Sequence, residues 1–243
     1  MGLGVNAAAD PNQTNFDLSN ETKIRLVPPT DDPEVLASYK SKFRSWVVSN
    51  GLRELLEGFV DFLEALHRDC LTLAWSKGKH TPDECDSLHS KFHKAGLPEK
   101  FKILSERFGI SSTRSKHILL INAARNCYTH RRGKVGSADV KDNDVLTVTW
   151  ESLDILIHRP GEDPVNVRDL PEGGLPTPDG GSIESKAVVR MLEFKLGSYI
   201  EFSATDLAEL CFFVNETATE FAASAVEYAA GIGIEVRNRE SES

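Results

Sequence analysis

Between Leu52 and Leu73, nine apolar side chains fall at helical spacing: Leu52, Leu55, Leu56, Phe59, Phe62, Leu63, Leu66, Cys70 and Leu73. Residues three and four apart share one face of an α-helix, whereas a strand alternates every second residue. The stripe therefore predicts a helix from about Leu52 to Trp75. A stripe of that length must be covered by other helices, which makes it the centre of a bundle.

The flanking sequence extends this pattern. Asp31-Asp32-Pro33 is a helix start with proline in the first turn, and it predicts a first helix to about Ser49. Leu36, Tyr39, Phe43 and Val47 lie on one face of it, and Gly51 is expected to bend or break the chain. Thr81-Pro82-Asp83-Glu84 opens a third helix closed by Gly96, and a short helix spans about Pro98 to Phe108. Ser111-Ser112 is expected to cap the next helix, with Ile118, Ile121 and Cys127 towards the core and Leu120 and Ala124 alongside. Ser203-Ala204-Thr205-Asp206 reads as a capping box for a long C-terminal helix carrying Leu207, Leu210, Val214, Phe221 and Ala225.

After Gly136 the period changes. Val145 to Trp150 alternates and predicts a strand reaching as far as Ile157. Residues 159–185 are rich in Pro and Gly and predict a long exposed loop. Ala187 to Phe194 and Tyr199 to Phe202 are expected to pair as a hairpin turning near Leu196-Gly197, in a sheet that forms a small appendage. The fold class is thus mostly α, a helical bundle with a small antiparallel β insertion. Residues 1–30 read as a flexible arm, 31–235 as one helical domain with the insertion and loop at about 144–202, and 236–243 as a frayed tail.

Charge is distributed unevenly. The chain carries a net −9. From Arg107 to Ala138 there is no Asp or Glu, and Arg107, Arg114, Lys116, Arg125, Arg131, Arg132 and Lys134 give that segment +7, leaving −16 elsewhere. A basic island on an acidic chain predicts a local polyanion site rather than general polyanion affinity. No apolar run is long enough to cross a membrane, and Met1 to Phe16 lack the pattern of a secretory signal. The four cysteines are widely spaced and are expected to be reduced, which predicts a cytoplasmic protein without membrane attachment.

Inside the island lies Arg125-Asn126-Cys127-Tyr128-Thr129-His130, the pattern R-N-x-x-x-H at the end of a predicted amphipathic helix with Gly133 just beyond. A permanently charged guanidinium can meet phosphate oxygens, and an imidazole can shuttle protons near neutrality. Asn126 and His130 are four apart and share a helix face. Arg125 and His130 are five apart, roughly 140° around the axis and about 7.5 Å along it.

This stretch resembles the signature of the HEPN superfamily, helical domains that include many metal-independent ribonucleases. The resemblance covers most of residues 35–135 and the C-terminal helix. It implies a HEPN-like antiparallel helical bundle and an endoribonuclease cleaving single-stranded RNA to 2′,3′-cyclic phosphate ends, in the setting of a toxin or an antiviral effector. It assigns His130 to proton transfer, Arg125 to transition-state charge and Asn126 to orienting its neighbours. Arg131, Arg132, Lys134, Arg114 and Lys116 are then expected to bind adjacent phosphates, and Tyr128 to stack on a base. It further implies a homodimer whose two motif helices face each other, bringing two Arg and two His into one cleft, with apolar contacts on those helices and their bundle neighbours holding it together. An antitoxin or a regulatory protein is a further partner the superfamily admits. In its toxins paired with a nucleotidyltransferase, a Tyr two residues beyond the His is modified; here Arg132 stands there, which weakens the likeness to that subgroup. Some HEPN domains are non-catalytic modules that bind RNA, a nucleotide or a protein, and this is the alternative reading.

One other constellation competes. Cys85, His89 and His93 follow at intervals of four, with Asp86 beside them. Successive steps of four drift around a helix and no second ligand cluster accompanies them, so no metal and no cofactor are expected.

Overall fold

The computed structural model describes residues 15–19, 22–25, 32–140, 144–170 and 181–235. Most of the arm expected at 1–30, and the tail at 236–243, lie outside these residues. Within the arm, β1 (Asn15–Ser19) and β2 (Thr22–Arg25) pair antiparallel, a hairpin that the sequence reading missed.

The α-helices among the described residues are α1 (Pro33–Ser76), α2 (Pro82–Lys94), α3 (Leu97–Phe108), α4 (Ser115–Arg131) and α5 (Ala204–Gly231). The largest departure is α1. The two helices expected around Gly51 are one uninterrupted helix of 44 residues. A glycine costs a helix only about 1 kcal/mol, and here it is flanked by Val48 and Leu52, each 1% exposed. Burial of the stripe on both sides outweighs that cost. Asp32 caps α1 by accepting from the N–H groups of Glu34 and Val35. Thr81 and Glu84 form a reciprocal capping box at α2, and Ser203 and Asp206 form another at α5.

α1 packs against each of the other four helices, most extensively α5 and α2. One core runs through the whole assembly. It holds Leu52, Leu56, Phe59 and Leu63 from α1, Phe101 and Leu104 from α3, Ile118 and Ile121 from α4, and Phe213 and Phe221 from α5. Phe59, Phe101 and Phe221 meet in a triangle of ring contacts 5.4–6.3 Å between centroids. Lys100 is buried beside it with its ammonium satisfied, donating to Glu64 Oε1 at 3.0 Å and to the Phe92 carbonyl at 2.6 Å. Burial alone would raise the Glu64 carboxyl, but bonds from His93 and Lys100 outweigh it and hold that group below its ordinary range.

The sheet has the order β4-β3-β5, with β3 (Val145–His158), β4 (Val165–Asn166) and β5 (Ser182–Lys195) all antiparallel. The expected hairpin between 187–194 and 199–202 does not form. β5 pairs with β3 along its whole length, from Val145 opposite Lys195 to His158 opposite Ser182. Residues 197–200 instead pair with 133–135: Val135 N–H donates to the Ser198 carbonyl, Gly197 N–H to Val135, and Ile200 N–H to Gly133. Nor is the sheet an appendage. Leu146, Val148 and Trp150 are buried in the same core as the helices, with Phe194 and Phe202. An interlocked set of charges ties the sheet to α5. Arg168 bonds Asp206 and Glu209, Arg190 bonds Glu209 and Asp154, and the Trp150 indole donates to Glu209 at 3.0 Å.

Candidate functional site

The motif occupies the last two turns of α4. Ile118, Ile121, Ala124 and Cys127 are buried at steps of three, which fixes the rotation of the helix. That rotation leaves Arg125 and Asn126 half-buried and places Thr129 and His130 in solvent. The expected cap at Ser111-Ser112 is displaced: Arg114 is the N-cap residue, and Ser112 Oγ accepts from its N–H at 3.1 Å. The helix stops where Arg132 and Gly133 adopt left-handed conformations, with φ of 54° and 80°. At Gly133 a side chain would also be crowded, since a Cβ would lie 3.0 Å from the Tyr128 ring.

Arg125 is held from two sides. Its Nη2 donates to Glu57 Oε1 on α1 at 3.1 Å, and its Nη1 to Asn126 Oδ1 at 3.2 Å. Its Nε is buried without a partner. Both members of the Arg125–Glu57 pair keep solvent contact, at 26% and 46% side-chain exposure, so an anion can reach the guanidinium. Glu57 was not found by sequence reasoning. It lies 68 positions from Arg125 and is surrounded by the apolar stripe that defines α1, so no local pattern signals it. His130 is exposed, and it makes no hydrogen bond or ion pair with any described residue. Asn126 thus lies against Arg125, and His130 is one turn further on at the helix end.

The basic island is less basic in space than in sequence. Arg114 bonds Glu151 at 2.9 Å and Glu220 at 2.8 Å, bridging β3 and α5. Arg131 forms a two-pronged pair with Asp139, whose side chain is 3% exposed and also accepts from the Gly136 N–H at 2.8 Å. These two arginines tie neighbouring elements together through their carboxylate partners. Lys116, Arg132 and Lys134 remain exposed. Tyr128 is also held in place. Its hydroxyl donates to the Ile200 carbonyl at 2.8 Å, its ring lies over Gly133, and burial pushes its phenol upward, so it is packed rather than presented to a base. Burial also raises the Cys127 thiol, to about 11, which removes it as a nucleophile.

The Arg131–Asp139 pair gives a first prediction. Asp139→Ala removes the acceptor for Arg131 and for Gly136 N–H together. Arg131 itself can be rehydrated, which limits the cost to about 1–2 kcal/mol. Thermal melting is expected to show that loss with the helical circular dichroism intact. An unchanged melting temperature would mean the pair contributes nothing to holding the turn after α4.

Cys85, His89 and His93 do not converge. Cys85 donates to the Leu71 carbonyl, His93 bonds Glu64 at 2.7 Å, and His89 lies between His67 at 3.2 Å and Arg68 at 3.0 Å. Arginine only donates, so His89 Nε2 accepts, its Nδ1–H donates to His67 Nδ1, and the proton of His67 sits on Nε2. Burial pushes the His67 imidazole down to about 3, so it stays neutral. Among the described residues no group of three His, Cys, Asp or Glu side chains is placed to hold a metal ion.

Two features of the surface bear on partners. No helix among the described residues is long and apolar enough to cross a membrane. The exposed large hydrophobics include Leu153, Ile155, Ile183, Val189, Met191 and Phe212, and none lies on α4. On the neighbouring α1, Trp46 and Trp75 are exposed as well. No protein-family model, no curated protein and no solved structure matches this chain.

Proposed function

We propose that this protein is a metal-independent endoribonuclease of the HEPN type, cutting single-stranded RNA by attack of a 2′-hydroxyl on the adjacent phosphate. The reading is carried by one juxtaposition. A guanidinium held by Glu57 and Asn126 and an imidazole that bonds no described residue lie on the last two turns of one helix, with the exposed Arg132 and Lys134 just beyond.

The chemistry asks little more. His130 accepts the 2′-hydroxyl proton or supplies one to the departing 5′-oxygen. Arg125 offsets charge on the five-coordinate phosphorus. Glu57 and Asn126 act on Arg125 and touch no reacting atom. Each protomer's own pair acts when the RNA backbone lies across the last turn of α4, the long Arg125 side chain spanning part of the separation. The toxin or antiviral setting rests on the resemblance, and an antitoxin or regulatory protein would act by covering this helix end.

The competing reading is a non-catalytic helical module binding RNA, a nucleotide or a protein. It is favoured by the pairing of Arg114, Arg125 and Arg131 with carboxylates, which lowers the field available to phosphates. One assay separates the two. The purified chain is incubated with end-labelled single-stranded RNA, and with DNA of the same sequence, in excess EDTA. Cleavage of the RNA alone, leaving 2′,3′-cyclic phosphate ends, is the expected result. Equal cutting of DNA, or activity only when a divalent ion is restored, would sink the mechanism. RNA binding without cleavage would establish the module.

A further inference from the structure

β5 is a strand of 14 residues, and no strand among the described residues lies on its outer side. The direction of its backbone groups follows from one bond. Leu196 N–H donates to the carbonyl of Asp144, the residue directly opposite it in the β3–β5 register. Backbone groups alternate sides along a strand, so even-numbered residues of β5 face β3. The odd-numbered residues, Ile183 to Lys195, point their N–H and carbonyl groups at the open edge. Lys195 agrees, since its carbonyl turns away to accept from Ser198 N–H.

The edge is also apolar. Ile183, Val189 and Met191 are 76%, 63% and 61% exposed. They share a face with Leu153 and Ile155 of β3, because Val189 lies opposite Glu151 and Ala187 opposite Leu153. A long unpaired edge with exposed apolar side chains is a template for another strand. No proline interrupts it.

We infer that β5 pairs antiparallel with β5 of a second copy, joining two three-stranded sheets into one of six strands about a two-fold axis at Val189. Symmetry and charge select the register. A two-fold axis between antiparallel strands stands perpendicular to the sheet and keeps each face on its own side. Each residue therefore meets one of equal parity, and one residue meets itself. Centring on Val188 sets Lys186 against Arg190, and centring on Arg190 sets it against itself; like charges directly opposed are unfavourable. Centring on Val189 opposes no like charges and pairs Ile183 through Lys195, nearly the entire strand. Centring on Ala187 or Met191 leaves more of the strand unpaired. At Val189 the central groups are those that face the open edge, so two N–H···O bonds join the two valines across the axis. Ala187 meets the partner's Met191 on the same face.

This surface is independent of the nuclease reading. It also sets the two motif helices apart. α4 ends beside the Val145–Lys195 end of the sheet, six residues from the axis, so each protomer keeps its own Arg125 and His130. At about 3.3 Å per residue the two ends of the paired strands are on the order of 40 Å apart.

The test uses the full chain without RNA. Sedimentation equilibrium is expected to show a dimer. Val189→Pro removes both central bonds of the dimer but no bond to β3, since prolines are tolerated where the N–H faces outward. Each bond lost is worth about a factor of five, so the dissociation constant should rise roughly twenty- to thirtyfold or more, with melting of the monomer near wild type. Val189→Lys, which places two ammonium groups across the axis, should act in the same direction and guards against a folding defect peculiar to proline. Amide exchange at Val189 and Met191 should be slow in the dimer and fast after dilution. A monomer at all concentrations overturns the inference, whether those amides exchange fast, leaving the edge bare, or slowly, showing that another segment of this chain covers it. A dimer indifferent to both substitutions overturns it too, by placing the interface elsewhere.

Discussion

His130→Ala should lower the rate of RNA cleavage by about 10²–10⁴-fold, the usual contribution of a positioned acid or base, with no change in thermal stability. The two halves of this expectation have separate grounds. The loss of rate follows from assigning the proton transfers to His130. The unchanged stability follows from its place. His130 is exposed in the last turn of α4 and bonds no described residue, so its removal leaves no cavity and no orphaned donor. Arg125→Ala should be comparably inactive. It removes one half-exposed ion pair together with a buried and unpartnered Nε, so its effect on stability should stay within about 1 kcal/mol. Single-turnover cleavage beside a melting curve reads both quantities. A His130→Ala protein that unfolds would make the residue structural, and one that cleaves at the wild-type rate would end the assignment.

Trp150→Ala is expected to destabilise the whole protein by about 3–5 kcal/mol, the range for removing a large buried aromatic. For a chain of this size that corresponds to a fall in melting temperature on the order of 10 °C. Trp150 is fully buried on β3, close to Phe202, and its indole donates to Glu209 on α5. Truncation opens a cavity under the sheet and removes a donor from a carboxylate that Arg168 and Arg190 still hold. The observable is the helical circular dichroism signal during heating. If the sheet and helices share one core, the helices melt early in the variant. Helices that melt at the wild-type temperature, while the sheet alone is lost, would show that the sheet is an appendage after all.

Much of the helical architecture was legible in the sequence, because its signals are local. The apolar stripe of α1, the capping boxes at Thr81 and Ser203 and the terminator at Gly133 each act within a turn or two. Gly51 misled because a weak local preference was set against burial on both sides, which only the assembled bundle supplies. The partner of β5 misled for a related reason. Ala187–Phe194 is recognisably a strand, but the nearest candidate, Tyr199–Phe202, lost to β3, some 40 residues away, which offers a matched strand along its whole length. At the candidate site the positions of Arg125, Asn126 and His130 on one helix could be read directly. The neutralisation of the island could not. Glu57, Glu151 and Glu220 come from three other elements, and nothing near Arg114 or Arg125 in the chain announces them. Tyr128 shows the same limit, since its hydroxyl is spent on Ile200, beyond the entire sheet in sequence.

The short strap from Gly197 to Ile200 changes how the end of α4 can move. A free helix end frays, opening one residue at a time. Here the residues that close α4, Gly133 and Val135, are stitched to Gly197, Ser198 and Ile200, and Tyr128 adds a side-chain bond to the same strap. The strap is also the passage from β5 into α5. The turn that carries His130 therefore opens as part of a larger cooperative unit, together with the sheet margin and the start of the C-terminal helix. The position of the imidazole is set less by α4 alone than by whether that distant stretch of chain stays in place.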